Sequence, residues 1–304
     1  MRTITKKIYL VAGLITCIIA LCLLQSEATA SPSFKVEKVG KGKQHIILIP
    51  GLTCPGDVWN ETIARYKSTY TLHVISLPGF AGTPAIETAE YLKTMRDELI
   101  GYIKDNKLKK PILVGHSLGG FLSLWISAVE PDLVGPNFIV DALPFLPAIQ
   151  NPAATVETIK PMAASMRDMM KNATPEQIKQ SQQYYLSTMA SSPDKLELIG
   201  RWGLESHAPT VAQAMYELQT IDLRNDVAAI NVPVTVLGAW IAYKDYGVTH
   251  ESALKNFSDQ YQHVKNVTIQ LTDTAKHFIM YDDPKWFFEQ MDKFLSTNKN
   301  RYYQ

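Results

Sequence analysis

The chain has 304 residues, with Lys+Arg at 30 against Asp+Glu at 29. A formal net charge of +1 offers no basic field for a phosphate backbone, which argues against a nucleic-acid partner. With 46% hydrophobic and 19% charged residues the composition is globular, and a chain of this size can bury a core without disulfide staples.

The N-terminus reads as a targeting segment. Arg2, Lys6 and Lys7 precede a charge-free apolar run from Ile8 to Leu24, and Ala28-Thr29-Ala30 follows. A basic start, an apolar middle and a small-x-small exit describe a secretory signal over residues 1–30, cleaved after Ala30. The competing reading is a retained anchor, because the run is at the lower edge of what spans a bilayer. Of three cysteines, Cys17 and Cys22 leave with the signal and only Cys54 stays, so residues 31–304 can form no internal disulfide. No other segment is long and apolar enough to span a membrane, so none is expected after cleavage. The expected location is a periplasm or the medium. Four Asn-x-Ser/Thr sites (Asn60, Asn172, Asn256 and Asn266) bear only on a host that glycosylates.

Short apolar runs then alternate with helical spacing, the pattern of a mostly parallel sheet with helices on both faces. Ser33 to Val39 alternates weakly, as an edge strand would. Ile46 to Ile49 is continuous and apolar, as a strand buried on both faces should be. Tyr70 to Ser76, Pro111 to Val114 and Phe138 to Val140 read as further strands, with helices over Thr88 to Asn106 and from after Gly120 to about Glu130. From residue 143 to 231 strand signals vanish. This stretch reads as helices broken at Pro152, Pro161, Pro175, Pro193 and Pro209. Strands resume at Val232 to Leu237 and Val267 to Leu271, a last helix runs from Pro284 to Leu295, and Asn298 to Gln304 reads as a frayed tail. Residues 31–142 and 232–304 thus form one core, and 143–231 a helical insertion between two of its strands.

Gly115-His116-Ser117-Leu118-Gly119 lies directly after an apolar strand and before a helix. That context suits a strained turn that lifts the Ser117 hydroxyl above the sheet, with a helix N-terminus favouring developing negative charge. Ser117 is the candidate nucleophile, and it needs a base. Of seven histidines, His45 and His73 fall at strands, His207 in the insertion, and His250 and His263 beside a helix. His116 belongs to the turn and should point away from the hydroxyl. His277 remains, on a loop between the last strand and the final helix, and the order Ser, acid, His suits the motif. Two acids compete to orient it: Asp141 at the end of Phe138 to Val140, and Asp245 after Val234 to Leu237. The oxyanion formed on attack needs aimed N–H donors, for which Leu118 and Leu52, in the loop Pro50 to Gly56, are candidates. Cys54 reads as a small buried residue.

These features resemble the α/β-hydrolase superfamily over essentially all of residues 31–304. The matching stretches are Ile49-Pro50-Gly51-Leu52, Leu77-Pro78-Gly79-Phe80, Gly115 to Gly120, Val232-Pro233-Val234 and His277-Phe278. Two positions depart from the family pattern. Many members place the acid a few residues past the glycine of the later strand, where this chain has Ile241, which favours Asp141, a location other members use. Glycine often precedes the family's histidine, where this chain has Lys276. The resemblance implies an insertion that caps the serine and a cofactor-independent serine hydrolase acting on a small-molecule substrate. An ester of a small or medium apolar acyl group is expected; amide or carbon–carbon bond hydrolysis and a non-catalytic binder of the same fold are the alternatives. Nothing in the sequence resembles a metal cluster, and serine chemistry needs no cofactor. Met162, Met166, Met169 and Met170 share a helical face that either lines the pocket or packs the insertion onto the core. Tyr184, Tyr185 and Trp202 are further candidates for that lining. The sequence leaves the oligomeric state open.

Overall fold

The computed structural model describes residues 31–302, so the expected signal over 1–30 lies outside the described residues. Seven strands make one sheet: β1 (Lys35–Val39), β2 (His45–Ile49), β3 (Thr71–Ser76), β4 (Ile112–His116), β5 (Asn137–Val140), β6 (Val234–Ala239) and β7 (Val267–Thr272). Their order is β1-β3-β2-β4-β5-β6-β7. β1 pairs antiparallel with β3 and the other pairings are parallel. Because all the parallel strands run the same way, their C-terminal ends, and the loops that leave them, gather along one edge.

Alternate side chains on a strand point to opposite faces, and β2 divides its apolar run accordingly. Ile47 and Ile49 pack with Leu113 and Ile139 beneath helices α2 (Tyr91–Asp105) and α3 (Leu118–Val129). Ile46 and Leu48 pack with Val114, Phe138 and Val140 on the other face. There they meet Tyr66 of α1 (Asn60–Tyr66) and Phe287 and Met291 of the C-terminal helix. All four β2 isoleucine and leucine side chains are fully buried, which is why the run shows no polar alternation.

Between β5 and β6 the chain adds no strand. It forms α4 (Val156–Met170), α5 (Pro175–Met189), α6 (Pro193–Leu204) and α7 (Ala208–Thr220), and α8 (His250–Gln260) follows β6. Pro175, Pro193 and Pro209 stand in the first turn of their helices, where a missing N–H costs nothing. Pro161 departs from expectation, since α4 continues through it. The carbonyl it cannot serve belongs to exposed Glu157, in a first turn that solvent reaches. The α4 methionines also depart from expectation. Met162 is 58% and Met169 73% exposed, so the face they share is turned outward rather than onto the core or a pocket. Of the aromatic candidates, Tyr184 and Tyr185 are exposed and Trp202 is buried. The C-terminus differs as well. After the short α9 (Ile279–Asp282), α10 runs from Pro284 to Tyr302, and Asn298 is buried with its amide donating to the Phe294 carbonyl.

The insertion is tied to the core by a buried carboxylate. Helix α2 has no side-chain cap of its own. Glu217 of α7 accepts from its first two amides instead, Tyr91 N at 2.6 Å and Leu92 N at 2.7 Å, at the positive end of the helix dipole. Glu217→Gln turns an amide donor toward those donors, and should lower unfolding free energy in urea by about 2 kcal/mol.

A second buried polar cluster lies away from the strands' C-terminal edge. His45 Nδ1 and His73 Nε2 are 2.9 Å apart, and His73 Nδ1 is 2.6 Å from the Tyr102 hydroxyl. Burial first, then the nearby His45 and Lys38, lowers the His73 pKa to about 4. The unfolded chain therefore takes up this proton near pH 6.5 while the folded chain refuses it until about pH 4. Stability is complete above pH 6.5 and should fall by about 1.4 kcal/mol per pH unit as pH drops through that window. Urea titrations across this range should be flatter for His73→Gln than for the parent.

Candidate active site

The turn at Ser117 is built by crowding. A Cβ on Gly115 would lie 2.2 Å from the Gly119 carbonyl oxygen, and one on Gly119 would lie 2.2 Å from the Ile49 oxygen. Both obstacles are backbone, so only glycine lets α3 start so close to β4 and β2. Between these glycines Ser117 is held at φ 53°, ψ −120°, a left-handed strain that a non-glycine residue adopts only under constraint. Ser117 N donates to Val140 O of the neighbouring β5 at 2.8 Å, and Ser117 O accepts from Phe121 N in α3. The side chain is thereby delivered at the C-terminal edge of the sheet, at the N-terminus of a helix.

Asp141 leaves the adjacent strand by a similar device. It has φ 48°, and its N–H donates to Leu237 O at 2.7 Å. Its Oδ1 accepts from Ala239 N at 2.8 Å and its Oδ2 meets His277 Nδ1 at 2.6 Å. The Asp141 side chain is 15% and the His277 side chain 23% exposed, so the pair is largely withdrawn from solvent. A carboxylate at Nδ1 fixes the proton there and leaves Nε2 as the basic nitrogen.

Asp245 is not brought to the histidine. It sits exposed in a single-turn helix over Ile241–Tyr246 and makes no hydrogen bond to His277. The sequence favoured Asp141 but left Asp245 open, because both follow strands that end on the same edge. The choice depends on the Ala239 amide, a backbone donor with no signature in the sequence.

His116 is fully buried and its ring lies 4.7 Å from that of His277. His116 Nε2 donates to the His277 carbonyl at 3.1 Å, so the residue before Ser117 supports the backbone of the histidine loop. Burial, with His277 beside it, holds the His116 pKa well below the ordinary value, and its ring is neutral. This support was missed in the sequence, which placed His116 only as part of the turn.

The loop after β2 lies against Ser117. A Cβ on Gly51 would stand 3.2 Å from Ser117 Cβ and 2.9 Å from His116 Nδ1, so the Leu52 amide follows directly on a residue in contact with Ser117. Leu118, the other oxyanion candidate, is the first residue of α3. Cys54 in the same loop is 1% exposed, its Sγ pointing to Leu52 O, and burial raises its thiol to about 12. Among the described residues no cluster of His, Cys, Asp and Glu is arranged to hold a metal ion, and no helix is long and apolar enough to cross a membrane.

Comparison with known proteins agrees with this architecture. Residues 46–290 match the model of the alpha/beta hydrolase family. A pimeloyl-(acyl-carrier protein) methyl ester esterase of Aeromonas hydrophila is 22% identical over 275 residues, covering 86% of this chain and 99% of the relative. Among solved structures, a thermophilic esterase from Thermogutta terrifontis, malate bound, superposes with a TM-score of 0.71 at 16% identity, covering 88% of this chain and 96% of that one. An enol-lactonase from Burkholderia xenovorans gives 0.70 at 15% identity, with 86% and 96% covered. With its sheet order, its turn at Ser117 and four-fifths of its length matched, the chain belongs to the alpha/beta hydrolase family and is a hydrolase.

Proposed function

We propose that the protein hydrolyses carboxylic esters of small or medium apolar acyl groups through a Ser117–His277–Asp141 triad. The observation that carries this reading is the 2.6 Å contact between Asp141 and His277, with Ser117 held on a strained strand-to-helix turn directly after the His116 that bonds the His277 carbonyl. Ser117 Oγ attacks the ester carbonyl while His277 Nε2 takes its proton. The oxyanion is received by the amides of Leu118 and Leu52. The tetrahedral intermediate collapses as the imidazolium protonates the leaving alcohol, giving an acyl-serine. Water, deprotonated by His277, then attacks the acyl carbon and restores the serine, releasing the carboxylic acid. Asp141 stabilises the imidazolium in both halves. The ester reading is supported by relatives whose name is a methyl ester esterase; another relative is named a putative carbamate hydrolase.

A fluorophosphonate probe should label the protein at Ser117 and leave Ser117→Ala unlabelled. An unlabelled parent would remove the nucleophile from the mechanism. Asp141→Asn should depress kcat by up to about 10⁴-fold with little change in KM, because the amide no longer fixes the tautomer. Asp245→Asn should leave both near the parent values.

We also infer that the protein is exported and begins at Ser31 once mature. The basic, apolar and small-residue succession of residues 1–30 supports this. N-terminal sequencing of protein from the periplasm or medium should read Ser31, whereas Met1 on membrane-bound protein would indicate an anchor.

A further inference from the structure

The two residues flanking His277 bond to the same short stretch of the insertion. Lys276 Nζ donates to Ser187 O at 2.7 Å and reaches Ala190 O at 3.4 Å. On the other side, Phe278 N donates to Met189 O at 2.9 Å. Ser187 to Met189 are the last residues of α5 and Ala190 is its C-cap. Carbonyls at a helix C-terminus have no partner within the helix and carry the negative end of its dipole, so an ammonium there is well matched. Asp282 adds a further tie: its carboxylate accepts from Lys276 N at 3.0 Å, and from Ser191 N at 2.8 Å and Ser191 Oγ at 3.0 Å. The histidine loop is thus laced to the end of α5, while His116 holds the His277 carbonyl from beneath. The glycine that often stands in the family before the histidine has no side chain to make the central contact.

We propose that Lys276 is a positioning residue for His277, clamping the end of α5 to the histidine loop so that helix and imidazole move together. The proposal rests on the reading of His277 as the catalytic base. With α5 seated, the Lys276 and Phe278 contacts hold the intervening residue between two fixed points. With α5 displaced, the same contacts carry the imidazole away from Ser117. A change felt in the insertion therefore reaches the base through the backbone on both sides of it.

The test uses the whole protein with Lys276→Met, Lys276→Arg and Lys276→Gln, read in two ways. Steady-state kinetics on an ester, with fluorophosphonate inactivation rates, report alignment of the base. Amide hydrogen exchange over 187–191 and 276–279 reports the clamp. Lys276→Met should lower kcat and the inactivation rate about tenfold, with KM changed by less than about twofold. Both segments should exchange faster together. Lys276→Arg, which can still donate to the helix carbonyls, should restore most of kcat. Faster exchange with kcat unchanged would make the clamp purely structural and overturn the proposal, as would lost kcat with exchange unchanged. If Lys276→Met does not fold, Lys276→Gln, which removes the ammonium and shortens the side chain, must show the paired loss or the proposal fails. A parent left unlabelled by the probe is a different failure. It would remove His277 as the base, and the positioning role with it, even where the exchange data showed the clamp intact.

Discussion

The hydrogen bond between Asp141 Oδ2 and His277 Nδ1 joins residues 136 positions apart in the chain, and the rest of the site is arranged so that it can form. Its carboxylate is steadied by the Ala239 amide, which requires β5 and β6 to be neighbours in the observed register. Its imidazole is brought in by the loop after β7 and supported by His116, one residue before the serine. Sheltering from solvent strengthens such a bond, because competing water is excluded and the local dielectric is low. The same shelter would make either group alone expensive to bury. The pair therefore depends on the sheet, and the sheet order is what makes the pair possible.

The two side chains leave the sheet by the same backbone device on adjacent strands. Ser117 follows β4 with φ 53° and Asp141 follows β5 with φ 48°. Each departure from favoured geometry costs on the order of 1–3 kcal/mol. Ser117 N on Val140 O and Asp141 N on Leu237 O tie both residues to the next strand, so the core that fixes the strands also holds the strain. Ser117 is further confined by Gly115 and Gly119, whose contacts are with backbone that cannot yield. The placement of Ser117 and Asp141 is therefore a property of the sheet.

Local features were the most readable in the sequence. Gly115 to Gly119 after an apolar strand is a contiguous signal, and the turn it specifies is made by those residues and their nearest neighbours. The strands of the parallel core were readable because burial on both faces removes polar alternation, as in Ile46 to Ile49. The acid was only partly readable: Ile241, standing where many family members place the acid, favoured Asp141, but Asp245 stayed open because which carboxylate finds a backbone donor depends on how the chain travels after β6. The outward face of the α4 methionines was missed for a related reason. Helical spacing reports that residues share a side, but what that side meets depends on tertiary placement. Pro161 within α4 and the continuation of α10 to Tyr302 show the same limit on reading helix ends from proline and polarity alone.

Cys54 stands in the loop that abuts Ser117, and its chemistry is muted. A thiolate, not a thiol, is what oxidants, disulfides and alkylating agents attack. With the thiol buried and pushed up to about 12, the reactive form is almost absent at neutral pH. In an oxidising medium the folded chain 31–302 thus offers no sulfur for cross-linking to a second molecule or for mixed disulfides with small thiols. The loop beside Ser117 keeps its shape without redox protection, and thiol-directed reagents discriminate the folded protein, which resists them, from unfolded chains, which do not.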